Sequence, residues 1–345
     1  MRIKVVCLFS AILIVLILAC SGASYVNVDV LKPAEVNLSG IKTVAVVDFQ
    51  GPGRSGSQIA TLLQSYLLNT GYFDLLEREK LKRILDEQDL GISGVVDRTT
   101  AVKVGKLLGV EAMIFGEVTT YEIERDQLGV DQEEREVGTG RYEYISKKNK
   151  KTGKIEREKR EIMKTVLVDR PFRIRRGSVG ANFRIVKVET GQLAAVHSDM
   201  KTYISDKVYQ DSGEILKPKA QILTDLSKDL CKKFVHMIAP HTVTESWYIE
   251  SGDERIKQGK KYAESGLWPE AMEVWSAAIR ENPDDPAGYY NLGLAYEVQG
   301  DLDKAEEYYG RALNLKMDDH YMKAIARVRQ TREDQAILEE QLQDR

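Results

Sequence analysis

The sequence is poor in the residues that site chemistry usually needs. Its 345 residues include only three cysteines and four histidines. The histidines, at 197, 236, 241 and 320, form no HxxxH or HExxH pair, which excludes a zinc site built on helical spacing. His236 and His241 flank an expected helix end beside Pro240, where a capping or surface role is expected. There is no nucleophile elbow, Walker loop or zinc-type CxxC spacing. The pattern points away from an enzyme, and no catalytic, metal-binding or cofactor-binding residue is assigned. Charge is balanced, 50 basic against 53 acidic side chains with a formal net of −3, so no global field draws the chain to nucleic acid. Cys7 lies in the first apolar run and Cys20 at its end. Only Cys231 remains, so no intrachain disulfide is expected. It falls on the helical apolar pattern Ile222–Ile238 and reads as a small core residue.

What is present begins at the N-terminus. Arg2 and Lys4 precede an apolar run from Val5 to Ala19, the layout of a secretory signal. The run is shorter than the roughly 20 residues that span a bilayer. Ile17-Leu18-Ala19-Cys20 resembles a bacterial lipobox, although Leu18 is bulkier than usual there. Residues 1–19 are accordingly expected to be a signal peptide and Cys20 the lipidated first residue, its acyl chains the only attached group. The competing expectation is ordinary cleavage near Ser21-Gly22-Ala23. Ser21 in place of Asp implies the outer membrane for such lipoproteins, and acyl chains would hold the chain there, facing the periplasm. Residues 20–40, with Pro33 and no clear periodicity, are expected to form a lipidated tether.

Strand and helix patterns then alternate. Thr43–Phe49 is a near-continuous apolar run of buried-strand character. Helices are expected at Gln58–Asn69, Glu77–Glu87 and from Thr99 or Thr100 to Leu108, the last stopped by Gly109. Strands are expected at Phe73–Leu76 and Glu111–Tyr121, a hairpin at Ala181–Val188 and Leu193–Ile204, and a closing helix at Ile222–Ile238. This order predicts an α/β domain over residues 41–243, a mixed sheet flanked by helices. Gly51-Pro52-Gly53-Arg54-Ser55-Gly56 matches GxGxxG, but Pro52 stiffens the turn and no second mononucleotide half follows. A glycine turn is the expected role.

Four stretches stand out in order: Gly71-Tyr72-Phe73-Asp74-Leu75-Leu76-Glu77-Arg78, Ser93-Gly94-Val95-Val96-Asp97, Ile114-Phe115-Gly116-Glu117-Val118 and Arg184-Ile185-Val186-Lys187-Val188-Glu189-Thr190-Gly191. With them, the chain from about Lys42 to Tyr121 and again over Ala181–Ile238 resembles the family of the curli secretion protein CsgG. The resemblance implies an outer-membrane lipoprotein that self-associates as a ring, with two inserted β-hairpins per subunit forming a barrel for unfolded fibre subunits. The first insertion here, about residues 122–180, carries Ile162, Val166, Val168, Phe172 and Ile174 on alternate positions, interrupted by Lys164 and Arg170. Residues 141–176 hold 14 Lys/Arg against 5 Asp/Glu, a strip suited to an anionic surface. The second insertion, about residues 206–219, is short and polar. The insertion therefore reads as a solvated periplasmic flap at least as well as a membrane hairpin.

Residues 244–345 repeat. Gly259, Tyr262, Ala271, Trp275 and Ala278 recur 34 positions later as Gly293, Tyr296, Ala305, Tyr309 and Ala312. The spacing resembles tetratricopeptide repeats at 252–285 and 286–319, followed by a polar capping helix from His320 to about Gln343. This all-α module is expected to dock a protein or peptide through a groove presenting Lys260, Tyr290, Leu294 and Glu297. Together these readings predict an oligomeric component of curli-type secretion or fibre assembly. The alternative is a non-pore envelope scaffold that recruits partners through the repeats, with neither nucleic acid nor a small-molecule substrate in either case.

Overall fold

The computed structural model describes residues 24–77, 98–148 and 153–343. The expected helix at Glu77–Glu87 lies outside them beyond its first residue, as do the signal segment and Cys20. In chain order the elements are β1 (Ser24–Lys32), β2 (Thr43–Val46), α1 (Ser55–Thr70), β3 (Asp74–Leu75), α2 (Arg98–Leu108), β4 (Ala112–Ile123), β5 (Gln127–Lys148) and β6 (Ile155–Ile174). There follow β7 (Arg176–Lys187), β8 (Leu193–Ile204), β9 (Val208–Tyr209), α3 (Lys219–Ile238) and β10 (His241–Ile249). Helices α4 (Glu254–Glu264), α5 (Trp268–Glu281), α6 (Pro286–Val298), α7 (Leu302–Leu315) and α8 (Asp319–Gln343) complete the chain. Two compact units result: a sheet unit, Ala34–His241 with the residues from Glu340, and a helical unit, residues 24–33 with Thr242–Glu339.

In the sheet unit the strand order is β3-β2-β4-β7-β8. β2 runs parallel to β3 and β4, whereas β4–β7 and β7–β8 are antiparallel. The mixed sheet flanked by helices is as predicted. Successive side chains point to opposite faces of a strand, and both faces here are covered. Val44, Val46, Ala112, Ile114, Phe183 and Ile185 pack into one cluster with α1 and α3. Ala45, Met113, Phe115 and Val186 pack into a second cluster with Ala101 and Val104 of α2. That double covering explains the near-continuous apolar runs. The GxGxxG stretch serves packing: Gly53 has φ +58°, and a side chain at Gly56 would collide with the Phe49 carbonyl. Cys231 is fully buried in the first cluster.

Residues 24–40 are not a tether. Tyr25-Val26-Asn27-Val28-Asp29-Val30 alternates with the period of a strand, and β1 pairs with β10. Val26 and Val28 are buried with Trp247 and Ile249 in the helical unit. Leu38 and Ile41 belong to the core of the sheet unit. The alternation is short and mixed with Asn and Asp, and its partner strand lies more than 200 residues away, so its role is settled only by pairing.

The helical unit is all-α apart from that two-stranded sheet. Helices α5 and α7 start and end 34 residues apart. Asp253, Asp285 and Asp301 cap α4, α6 and α7, each accepting from a backbone N–H in the first turn. Gly259 faces Trp275, and Gly293 faces Tyr309, each leaving the space its aromatic occupies.

Candidate functional site

Two places were open to a functional reading: the helical groove and the insertion between β4 and β7. The groove residues are mostly buried. Tyr290, Leu294 and Glu297 are buried, and Lys260 donates from Nζ to Ser24 Oγ of β1. The face of α6 that was expected to receive a partner is occupied by β10 and α8 of the same unit. Tyr290 O–H donates to the Tyr248 carbonyl at 3.1 Å and its ring stacks on Tyr321 at 4.8 Å. Glu297 receives a two-pronged contact from Arg327, Nε at 2.7 Å and Nη2 at 2.6 Å, and accepts from Tyr309 O–H at 2.7 Å. Arg327 in turn lies over the Trp247 ring at 4.0 Å. A planar guanidinium between a carboxylate and an indole satisfies all three groups in a low-dielectric site.

Of the four residues expected to line a docking groove, three are thus buried and the fourth is bonded to β1. The capping helix carries Tyr321, Ala324 and Val328 at i, i+3 and i+7, all fully buried. Its surplus of charge hides that narrow stripe, so it read as solvating. A further signal sat at Trp247-Tyr248-Ile249, an apolar cluster just before the repeats that now fills the groove.

The insertion forms one long antiparallel ribbon. β5 and β6, of 22 and 20 residues, pair from Gln127↔Ile174 to Lys148↔Ile155, with an irregularity between Gly138 and Tyr142. Directly opposed residues share a face. One face carries Gly129, Asp131, Glu133, Arg135 and Val137 with Phe172, Arg170, Val168, Val166 and Lys164. The other carries Leu128, Val130, Gln132, Glu134 and Glu136 with Arg173, Pro171, Asp169, Leu167 and Thr165. Neither is an unbroken apolar band, because charges recur on both.

The second insertion folds over the ribbon base. β9 pairs with β6 through Phe172↔Tyr209 and Arg173↔Val208. Asp131 accepts from Lys207 Nζ at 2.7 Å and from Tyr209 O–H at 2.7 Å, and these hydrogen bonds hold its carboxyl below the usual range. Asp211 accepts from Arg135 at 2.8 Å and Arg170 at 3.0 Å and is lowered for the same reason. Arg170 also lies over the Tyr209 ring at 4.0 Å. Below this lattice Arg175 grips Asp126 with two bonds of 2.8 and 2.7 Å and donates to the Lys217 carbonyl at 2.9 Å. A depression of about 560 Å³ lies beside the base, lined by Leu128, Val130, Pro171, Phe172, Arg173 and Val208 among others. It presents apolar surface and one cation, a composition suited to contact and offering no nucleophile or paired acid and base.

Residues 40–150 match the model of the family described as curli production assembly/transport component CsgG. Residues 257–339 match a domain of unknown function, DUF6340. No curated protein matches the chain. Among solved structures, PelC from Paraburkholderia phytofirmans, a dodecamer, is 13% identical over 62% of this chain and 98% of its own, with a TM-score of 0.28. The LpoB C-terminal domain from Salmonella enterica is 12% identical over 48% and 84%, at 0.26. Lipoprotein GNA1162 from Neisseria meningitidis is 11% identical over 56% and 97%, at 0.31. Likeness at these scores carries no functional inference. The chain thus carries a CsgG-like domain followed by a helical region that matches a family of unknown function.

Proposed function

We propose that this chain is an outer-membrane lipoprotein facing the periplasm that works as a self-associating component of curli-type protein secretion or fibre assembly. The observation that carries the reading is the family match over residues 40–150, which includes β2, α1, β4 and all of β5. The lipobox-like Ile17–Cys20 supports the anchor, and a ribbon in a sheet of its own, with strands beyond the ordinary length, supports assembly between copies. In this reading the helix pairs are a tetratricopeptide-type module whose inner face is filled by its own chain, so its role is structural. Imaging of detergent-extracted particles tests the proposal. Closed oligomers are expected, and a uniform monomer overturns it. Replacing Cys20 by Ser should move the protein from the membrane to the soluble fraction; a variant that stays with the membrane refutes lipid anchoring.

A second reading, an envelope scaffold without a pore, is favoured by one observation. Transmembrane strands alternate apolar residues along a lipid face, whereas Lys164 and Arg170 break that face of β6 and Asp131, Glu133 and Arg135 break it on β5. Planar-bilayer conductance separates the two. A silent bilayer with a protease-cleaved ribbon fits the scaffold, and conducting particles with a protected ribbon fit the pore.

A further inference from the structure

We infer that β8 is a two-fold pairing edge at which a second copy of this chain extends the five-stranded sheet. This goes beyond the proposed role, which does not depend on it. β8 is the last strand of its sheet, and among the described residues no strand pairs with its outer side. Natural edge strands of this length are usually blunted by charge, proline or a bulge. The outward row of β8 is instead Val196, Ser198, Met200, Thr202 and Ile204, with Val196 58%, Met200 57% and Ile204 63% exposed.

The edge has the hydrogen-bonding phase that pairing needs. Ser205 N–H donates inward to the Arg175 carbonyl. Alternation along an antiparallel strand then turns the N–H and C=O groups of the even-numbered residues outward. Met200 N–H, one of these, is taken at 2.9 Å by its neighbour's carboxylate, Asp199 Oδ1, in place of a backbone carbonyl.

The sequence of β8 is complementary to itself in one register. When two copies run antiparallel about Met200, Val196 faces Ile204 and Ser198 faces Thr202 on the outer side. On the inner side Asp199 faces Lys201, and His197 faces Tyr203, each twice by symmetry. Opposite charges placed directly across a strand pair stabilise it, and like charges do the reverse. Moving the axis to Asp199 sets two carboxylates against each other. His197 Nε2 is a buried nitrogen without a hydrogen-bond partner among the described residues, and the Met200-centred register brings a Tyr203 side chain opposite it. A two-fold contact of this kind is isologous and closes on itself.

The test uses the full chain in detergent carrying Met200→Cys and a short bismaleimide. In a hydrogen-bonded antiparallel pair the two Cα atoms are about 5.5 Å apart, so a cross-linked dimer is expected. The parent chain, whose Cys231 is buried, is the control without it. Adding Lys201→Asp should abolish the cross-link. Adding Asp199→Lys to that variant restores opposite charges across the axis and should restore the product. Absence of the cross-link in Met200→Cys, or its indifference to Lys201→Asp, overturns the pairing. Asp199 also pairs with Lys233 at 3.0 Å, so each variant is checked by its melting curve. Met200→Lys gives a second reading by sedimentation: loss of a dimer boundary supports the contact, and an unchanged dimer fraction refutes it. Rings assembled through other surfaces give no Met200 cross-link, so failure here leaves the proposed export role standing.

Discussion

At the scale of single residues, small side chains and one imidazole carry the most testable content. Ala305 is fully buried between helices, and its helix α7 lies against α6 through the Gly293–Tyr309 contact. Ala305→Leu should overpack this site and lower stability by about 1–3 kcal/mol, seen as a drop in melting temperature and helical signal. Gly293→Ala should act in the same direction, since its methyl would lie 2.9 Å from Tyr309 Cδ1. His236 stacks on His241 at 3.8 Å, and its pKa is pushed down from 6.5 to about 4 by burial, by His241 and by Lys232. Between those values the unfolded chain binds a proton that the folded chain refuses. Stability should therefore be full above pH 6.5 and fall as pH drops towards 4. Urea titrations across that window check it, and His236→Gln should flatten the dependence. The sequence pattern puts both histidines flanking the end of α3, whereas their stacking depends on the turn through Pro240.

At the scale of elements, the ribbon is held to its sheet by few contacts. Arg175, between β6 and β7, binds Asp126 just before β5 and the Lys217 carbonyl before α3. Its neighbours hold its pKa up, led by the hydrogen bond to Asp126. Hydrogen bonds to a charged group are each worth about 1.5–3 kcal/mol. Arg175→Ala should loosen the base, with faster amide exchange in residues 124–130 and 171–176 while the five-stranded sheet is unchanged. Arg175→Lys should recover only part of the protection, since an ammonium cannot reproduce the planar fork. Equal exchange in all three proteins would remove Arg175 from this role. The ribbon's strand character was visible in the alternation at Ile162–Ile174. The ion-pair network over its base was not, because Asp131, Arg170 and Asp211 come together only once β9 pairs with β6.

At the scale of the whole molecule, the chain leaves the helical unit after Pro33, builds the sheet unit and returns at Thr242. Val26 and Val28 complete the helical core with Trp247 and Ile249. Burying a valine is worth about 1.5–3 kcal/mol, so deletion of residues 24–32 should lower the melting temperature of the helical unit. A C-terminal fragment that melts at the same temperature with and without β1 would contradict this. If Cys20 is lipidated, only residues 21–23 separate it from β1, at most about 14 Å of extended chain.

The sequence by itself determined the mixed sheet through the order of its strand and helix patterns, the closing helix Ile222–Ile238 through its apolar period, and the paired helices through the 34-residue repeat. The fate of every surface was decided by long-range pairing. β1 became a strand through β10, and the groove around Tyr290 was closed by α8 and Trp247–Ile249. β8 was left as an edge because no described strand follows it in the sheet. A pattern tells which side of an element is apolar, whereas only the assembled chain decides what covers it.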